Sequence, residues 1–171
     1  QATDLCGNFG WSHNFTALSD DCGNTGSATV EFTATDECGN TSVTTATFTI
    51  EDTTNPVIQT PASDFTVECD GAGNQNSYDN WLAANGNALA TDLCGDVTWT
   101  NSGGTLSDDC GQTGEIEVTF TATDECGNSV ETTAKFIIID TQAPSITQQP
   151  SDLQIECDGT GSLSEIQTWL D

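Results

Sequence analysis

The sequence has almost no positive charge. Its 171 residues contain one base, Lys135, and 27 acidic residues, which gives a formal net charge of -26 at pH 7. Nucleic-acid binding needs several Lys and Arg side chains to neutralise phosphates, so the composition excludes nucleic acid as a partner. The same deficit excludes anionic membrane surfaces. The partners that suit such a surface are water and divalent cations.

Features of membrane and freshly translated chains are also missing. There is no methionine, no signal peptide and no apolar run of about 18 residues. We therefore predict no membrane insertion. We expect the 171 residues to be the interior of a much longer, already processed chain.

The eight cysteines, in contrast, repeat at one spacing. Four cysteines recur 88 positions later: Cys6, Cys22, Cys38 and Cys69 as Cys94, Cys110, Cys126 and Cys157. Flanking segments such as ATDLCG and FTATDECGN repeat with them, and the 88-residue shift needs no gap. A structural unit in an array is duplicated in this way, whereas a chemical site rarely is. The repeat predicts one complete module at 54–141, the C-terminal part of another at 1–53, and the N-terminal part of a third at 142–171.

Within the module, apolar residues alternate as they do in half-buried strands. The residues predicted to face the core are Phe65, Val67, Val97, Trp99, Ile116, Val118, Phe120, Ala122, Ala134, Phe136 and Ile138. The pattern predicts an all-β fold, with tandem immunoglobulin-like β-sandwich modules of 88 residues. Short Asp-Thr and proline connections at the module boundaries predict restricted bending between neighbours.

One segment instead has helical spacing. Tyr78, Trp81 and Leu82 fall on one helical face, so each module is predicted to contain one short inserted helix. Asn76 is the predicted N-cap, and Gly86 is predicted to stop the helix. In the later copy, Ser164 is the predicted N-cap, in a capping box with Gln167.

The cysteine spacing favours disulfides over zinc. Zinc sites use close pairs two to four residues apart, whereas the nearest cysteines here are 16 apart (22 minus 6). Disulfides indicate an oxidising, extracellular location. Catalytic patterns such as GxSxG and HExxH do not occur, and the single histidine, His13, becomes Asn101 in the other copy. We therefore predict that the chain is not an enzyme.

The segments TATDECGN (33–40 and 121–128) and DTTNPVI (52–58) resemble those of the HYR (hyalin-repeat) family, an immunoglobulin-like extracellular module. With four cysteines per repeat, the chain is most similar to the four-cysteine HYR-like variant. Such modules occur in tandem in giant surface adhesins of flavobacteria, including gliding-motility adhesins of the SprB kind. The resemblance implies export by the type IX system and display at the cell surface.

The strand order predicts the disulfide pairing. Cys94 and Cys126 fall in turns at one end of the sandwich, and Cys69 and Cys110 fall at the other end. The predicted bonds are Cys94–Cys126, Cys69–Cys110 and, by repetition, Cys6–Cys38. Cys22 and Cys157 are predicted to pair outside these residues or with a neighbouring copy. The alternative is sequential pairing, Cys69–Cys94 and Cys110–Cys126.

Oxygen ligands cluster at the predicted module ends, where calcium would stiffen the array. The candidate ligands are Asp20, Asp21, Asp52, Asp92, Asp124, Glu125, Asn128 and Asp140. The alternative is that these acids are solvated and belong to ordinary turns. Thr53, in Asp52-Thr53-Thr54, resembles the short Asp-Thr acceptor of bacterial O-glycosylation.

The function expected from these features is mechanical: a stalk or filament repeat of a large secreted surface adhesin. Its partners would be neighbouring identical modules of the same chain or fibre, together with surface glycans or a host or substratum. The alternative is a carbohydrate- or protein-binding accessory module of a secreted multidomain protein.

Overall fold

The chain is mostly β structure. A computed structural model describes residues 1–107, 109–156, 159 and 163–170. Strands take 39% and helices 12% of the chain, so the predicted β class is confirmed. The chain divides into two compact units, Gln1–Asp140 and Thr141–Asp171. The finer division into 88-residue tandem modules stays a prediction.

The described residues of unit Gln1–Asp140 form nine strands in three sheets. The strands are β1 (Phe9–His13), β2 (Gly26–Asp36), β3 (Thr41–Ile50), β4 (Val57–Thr60), β5 (Phe65–Glu68), β6 (Leu89–Thr91), β7 (Val97–Asn101), β8 (Gly114–Asp124) and β9 (Ser129–Ile139). Their orders are β1-β2-β3, β4-β6 and β5-β9-β8-β7. All neighbours are antiparallel except β5 and β9, which are parallel. Strands β1, β2 and β3 begin 88 positions before β7, β8 and β9, and Trp11 faces Ala34 as Trp99 faces Ala122.

The core lies between the four-stranded sheet and helix α1 (Gln75–Ala83). The Trp81 ring is 4% exposed and lies 5.2 Å from the Phe120 ring and 5.8 Å from the Phe136 ring, centroid to centroid. The alternation predicted for β8 and β9 is confirmed, because their inward residues are buried. The prediction that Phe65 is buried is wrong: it is 41% exposed, since β5 is an edge strand.

The helix ends differ from the predicted ones. Helix α1 begins at Gln75, and its N-cap is Asn74 rather than Asn76. Asn74 has a φ of 54° and donates from Nδ2 to the Glu68 carbonyl at 2.9 Å, which ties the helix start to the end of β5. Gly86 lies just beyond the helix at φ 61°, where a side chain would collide with Phe120.

Unit Thr141–Asp171 contains helix α2 (Leu163–Leu170). Ser164 therefore lies inside the helix, and its prediction as the N-cap of a capping box is wrong. Trp169 donates its indole N–H to the Ser151 carbonyl at 2.7 Å, as Trp81 does to Ser63 at 3.1 Å, 88 positions earlier. Of the helices described, neither is long and apolar enough to cross a membrane.

Candidate functional site

A disulfide joins two parts of unit Gln1–Asp140 that are far apart in sequence. Cys22 and Cys126 are bonded across a sequence separation of 104, with their Cα atoms 5.2 Å apart. Cys22 lies in the turn before β2, and Cys126 lies in the turn between β8 and β9. The bond therefore links segment 1–53 to segment 54–141, and we refer to the surrounding contacts as the junction.

The predicted disulfide pairing is wrong at this bond. Cys126 bonds to Cys22 and not to Cys94. Of the two alternatives predicted for Cys22, the partner therefore comes from the neighbouring copy of the repeat and not from outside these residues. The prediction assumed that pairing stays within one module, whereas the Cys126 turn faces the end of the preceding segment. The thiols that remain free in the described part of the chain are Cys6, Cys38, Cys69, Cys94 and Cys110. The predicted Cys69–Cys110 and Cys6–Cys38 bonds and both bonds of the sequential alternative are therefore not formed, and Cys157 lies outside the described residues.

Two hydrogen bonds to backbone carbonyls reinforce the disulfide. The Asn24 amide donates to the Cys94 carbonyl at 2.7 Å, and Asn128 Nδ2 donates to the Asp52 carbonyl at 3.3 Å. Gly23, between Cys22 and Asn24, has a φ of 54°, and a side chain there would collide with the Cys94 carbonyl oxygen. Only glycine fits this combination of backbone conformation and close approach.

The Asp-Glu-Cys-Gly-Asn turn at 124–128 holds Cys126 in place. Asp124 Oδ1 accepts from the amides of Cys126 and Asn128, both at 2.9 Å, and its Oδ2 accepts from Asn128 Nδ2. Burial opposes ionisation of Asp124, but these hydrogen bonds outweigh it and lower the pKa of the carboxyl. The turn is therefore stabilised above the unfolded pKa of about 3.9, and this contribution is lost as the pH falls through the lower folded pKa.

The calcium candidates are only partly brought together. Among the described residues, Asp52, Asp92 and Cys94 place one ligand atom each within 4.8 Å of one another. Asp52 Oδ2 is buried without a hydrogen-bond partner. Burial, followed by the negative charges of Asp52, Asp92 and Asp124, raises the pKa of the Cys94 thiol, so it stays protonated and is a poor ligand. Two carboxylates therefore form the nucleus of any cation site.

The other predicted calcium ligands lie outside this cluster or already make other contacts. Asp124 and Asn128 bond to each other within their turn. The Glu125 carboxylate packs against Gly23 and Gly95 in the junction. Asp21 lines a surface depression together with Asp52 and Cys126. Asp20 and Asp140 are exposed and do not belong to the cluster of Asp52, Asp92 and Cys94. Thr53, the predicted glycosylation site, is exposed, and its modification stays a prediction.

Comparison with known proteins gives no family. No protein-family model and no curated protein matches the chain. Among solved structures it is similar to Drosophila N-cadherin EC1-4, with 10% identity over 80% of this chain and 42% of that chain and a TM-score of 0.32. It is similar to PcdhgB3 EC1-4 with 8% identity over 81% of this chain and 40% of that chain and a TM-score of 0.28. For mouse clustered PcdhgC3 EC1-3 the identity is 12% over 70% of this chain and 44% of that chain, with a TM-score of 0.26. The chain spans about two fifths of the length of these structures. Likeness at these TM-scores carries no argument about function.

Proposed function

We propose that the chain is a structural stalk or filament repeat of a large secreted cell-surface adhesin, without catalytic activity of its own. The observation that carries the proposal is the disulfide between Cys22 and Cys126, which ties segment 1–53 to segment 54–141. Two domains that only need to be connected can do so through a flexible linker. A covalent bond beside the linker is instead suited to fixing the angle between them.

The contacts around the bond support a stiff joint. Asn24 and Asn128 each donate a hydrogen bond to the opposite segment, next to the two bonded cysteines. The Asp52 side chain accepts from both the Thr54 amide and hydroxyl, and Pro56 is buried, so the connection itself is ordered. Rotation at this joint would break several of these hydrogen bonds together.

The 88-residue sequence repeat and the HYR-like resemblance support the finer parts of the proposal. They favour tandem immunoglobulin-like modules, export by the type IX system, and surface display with a spacer role in adhesion or gliding. The acidic surface suits a secreted, solvated spacer. Neighbouring modules of the same chain or fibre are its proposed partners.

Small-angle X-ray scattering on genetic arrays of the 88-residue unit tests the stalk proposal. With two, four and six units, we expect the longest dimension to grow in proportion to the number of units, because each joint is fixed by its own disulfide. An array of flexibly linked modules would grow roughly as the square root of that number. Square-root growth in oxidised arrays would contradict the proposal.

The matched control carries serine at every position equivalent to Cys22 and Cys126. Its modules keep their cores but lose the covalent bond at each joint. The longest dimension should then grow more nearly as the square root of the number of units. An array that stays equally straight would show that the disulfide is not what stiffens it.

Calcium is a further part of the proposal. Asp52 and Asp92 would supply its carboxylate ligands, and Asp52 Oδ2 has no other partner. We expect calcium to raise the melting temperature of the chain over that in EDTA, because bound cation would relieve repulsion between the two carboxylates. Calorimetric melts in the two solutions measure the shift.

Asp92→Asn should abolish the calcium-dependent shift, since it removes one of the two carboxylates. Asp4→Asn, at the equivalent position 88 residues earlier, should leave it intact. Equal melting temperatures of the unaltered chain in calcium and in EDTA would exclude a stabilising site.

A further inference from the structure

Two half-buried cysteines of segment 54–141 lie at opposite ends of the module. Cys94 lies in the junction, where its carbonyl accepts from the Asn24 amide at 2.7 Å. Cys69 follows β5 at the other end, and its amide donates to the Ile139 carbonyl at 2.7 Å. The 11 residues of β9 separate the two ends by about 35 Å, so Cys69 and Cys94 of one module cannot bond to each other.

Segment 1–53 presents the same sheet edge as the complete module. Strands β2 and β3 pair with Gly26 opposite Ile50, and β8 and β9 pair with Gly114 opposite Ile138, 88 positions later in both strands. Strand β3 therefore offers the backbone groups that β9 offers to β5. In a continuous array, the β5 equivalent of that unit precedes Gln1 and pairs with β3 in the same register.

The register determines which residue lies beside the cysteine that follows β5. Glu68 lies opposite Ile139, whose carbonyl accepts from the Cys69 amide. The pairing therefore continues to Cys69 and Asp140, and the counterpart of Asp140, 88 positions earlier, is Asp52. Paired residues of neighbouring strands lie about 4.8 Å apart, with their side chains on the same face. The Cys69 equivalent of the preceding unit therefore lies beside the Asp52 side chain.

Cys94 approaches the same side chain from the other module. A carboxylate oxygen of Asp52 and the Sγ atom of Cys94 lie within 4.8 Å of each other. Burial, followed by the negative charge of Asp52, raises the pKa of the Cys94 thiol, which agrees with this proximity. Two thiols beside one small side chain can be brought together by side-chain rotation, and a disulfide needs Cα atoms only about 4.4–6.8 Å apart.

We propose that every joint of the array carries a second disulfide, between the Cys69 equivalent of one unit and the Cys94 equivalent of the next. The inference rests on the proposed function, because it requires successive units of one chain. Together with the bond between Cys22 and Cys126, it crosslinks all four cysteines of a unit, two at each of its joints. No thiol of the repeat is then left over.

Formation of the second bond is an oxidation. The two thiols lose two protons and two electrons, and oxidised glutathione accepts them to become two molecules of reduced glutathione. An extracellular location, as proposed for the chain, preserves such a bond.

An extended chain tests the second disulfide. A copy of residues 54–88 placed before Gln1 continues the repeat and completes the first unit, and Cys69→Ser in the original segment makes the added cysteine distinguishable. After oxidation with glutathione and proteolysis, we expect a peptide that joins the added cysteine to Cys94. The alkylated fraction of Cys94 should fall at least about tenfold from that in the unextended chain, because structural disulfides resist exchange with glutathione.

A shift of one residue gives the matched control. With Glu68→Cys and Cys69→Ser in the added copy, the thiol points to the opposite face of the strand and should not bond to Cys94. A bond to Cys94 that forms equally well from the shifted position would mean that chain flexibility, and not the register, brings the thiols together. That result would overturn the proposal.

The peptide that joins Cys22 to Cys126 reports on the joint in every variant. If this peptide forms while the added cysteine bonds to Cys6 or stays free for alkylation, the second disulfide is refuted and the proposed stiff joint stands. If this peptide is missing, the joint itself is contradicted, and both the proposed function and the inference fall with it.

Discussion

Replacing Phe136 with alanine should lower the free energy of unfolding by about 4 kcal/mol, which is typical of a large aromatic removed from a packed core. Phe136 is fully buried and its ring contacts those of Phe65, Tyr78 and Trp81. The void would lie between helix α1 and the sheet, where neither side can close without moving the other. Urea unfolding followed by tryptophan fluorescence measures the loss.

The chain contains a matched control for this substitution. Phe48→Ala changes the same residue type at the equivalent strand position, but the ring is 60% exposed. The loss of stability from Phe48→Ala should be below about 1 kcal/mol. Equal losses for the two variants would show that the two sheets are covered to the same extent.

Loss of the junction disulfide is the second large effect we expect. In the double variant Cys22→Ser/Cys126→Ser, the free energy of unfolding should fall by about 4–5 kcal/mol, because the bond closes a loop with a sequence separation of 104. Chemical denaturation without reductant measures the change. Proteolysis should also become faster near residues 51–55, where the two segments are connected.

The equivalent double variant, Cys38→Ser/Cys110→Ser, removes two free thiols and no bond within one chain. Its stability should match that of the unaltered chain to within about 0.5 kcal/mol. A comparable loss in this control would mean that the effect belongs to the serine substitutions and not to the crosslink.

The fold was largely predictable because its signals are local. Alternation in β8 and β9 marks the buried side chains, and the spacing of Tyr78, Trp81 and Leu82 marks the helix. The cap at Asn74 was missed because its left-handed conformation depends on contacts with Glu68 and Asp70. Such contacts are made only after β5 and the helix have come together.

The junction was harder to predict. Sequence reasoning placed Cys94 and Cys126 at the same end of the module, and both do lie in the junction. Asp20 and Asp21 of the preceding segment were predicted at that end as calcium ligands, but Cys22, the next residue, was not paired with Cys126. Gly23 permits a close approach to the Cys94 carbonyl, but a glycine directly follows six of the eight cysteines, so the sequence carries no signal that singles out this pair.

The position of the crosslink also determines how far the protein can be stretched. When the chain ends are pulled apart, the bond lets tension bypass the backbone between Cys22 and Cys126. If the same bond recurs every 88 residues, the next bonded span begins at Cys110, 88 residues after Cys22. Each span then overlaps the next, because Cys110 precedes Cys126 by 16 residues (126 minus 110). Even with every module unfolded, each 88-residue unit of the thread could then span only about 55 Å of extended backbone, against about 300 Å for 88 uncrosslinked residues. Such a thread would be nearly inextensible until its sulfur bonds were reduced.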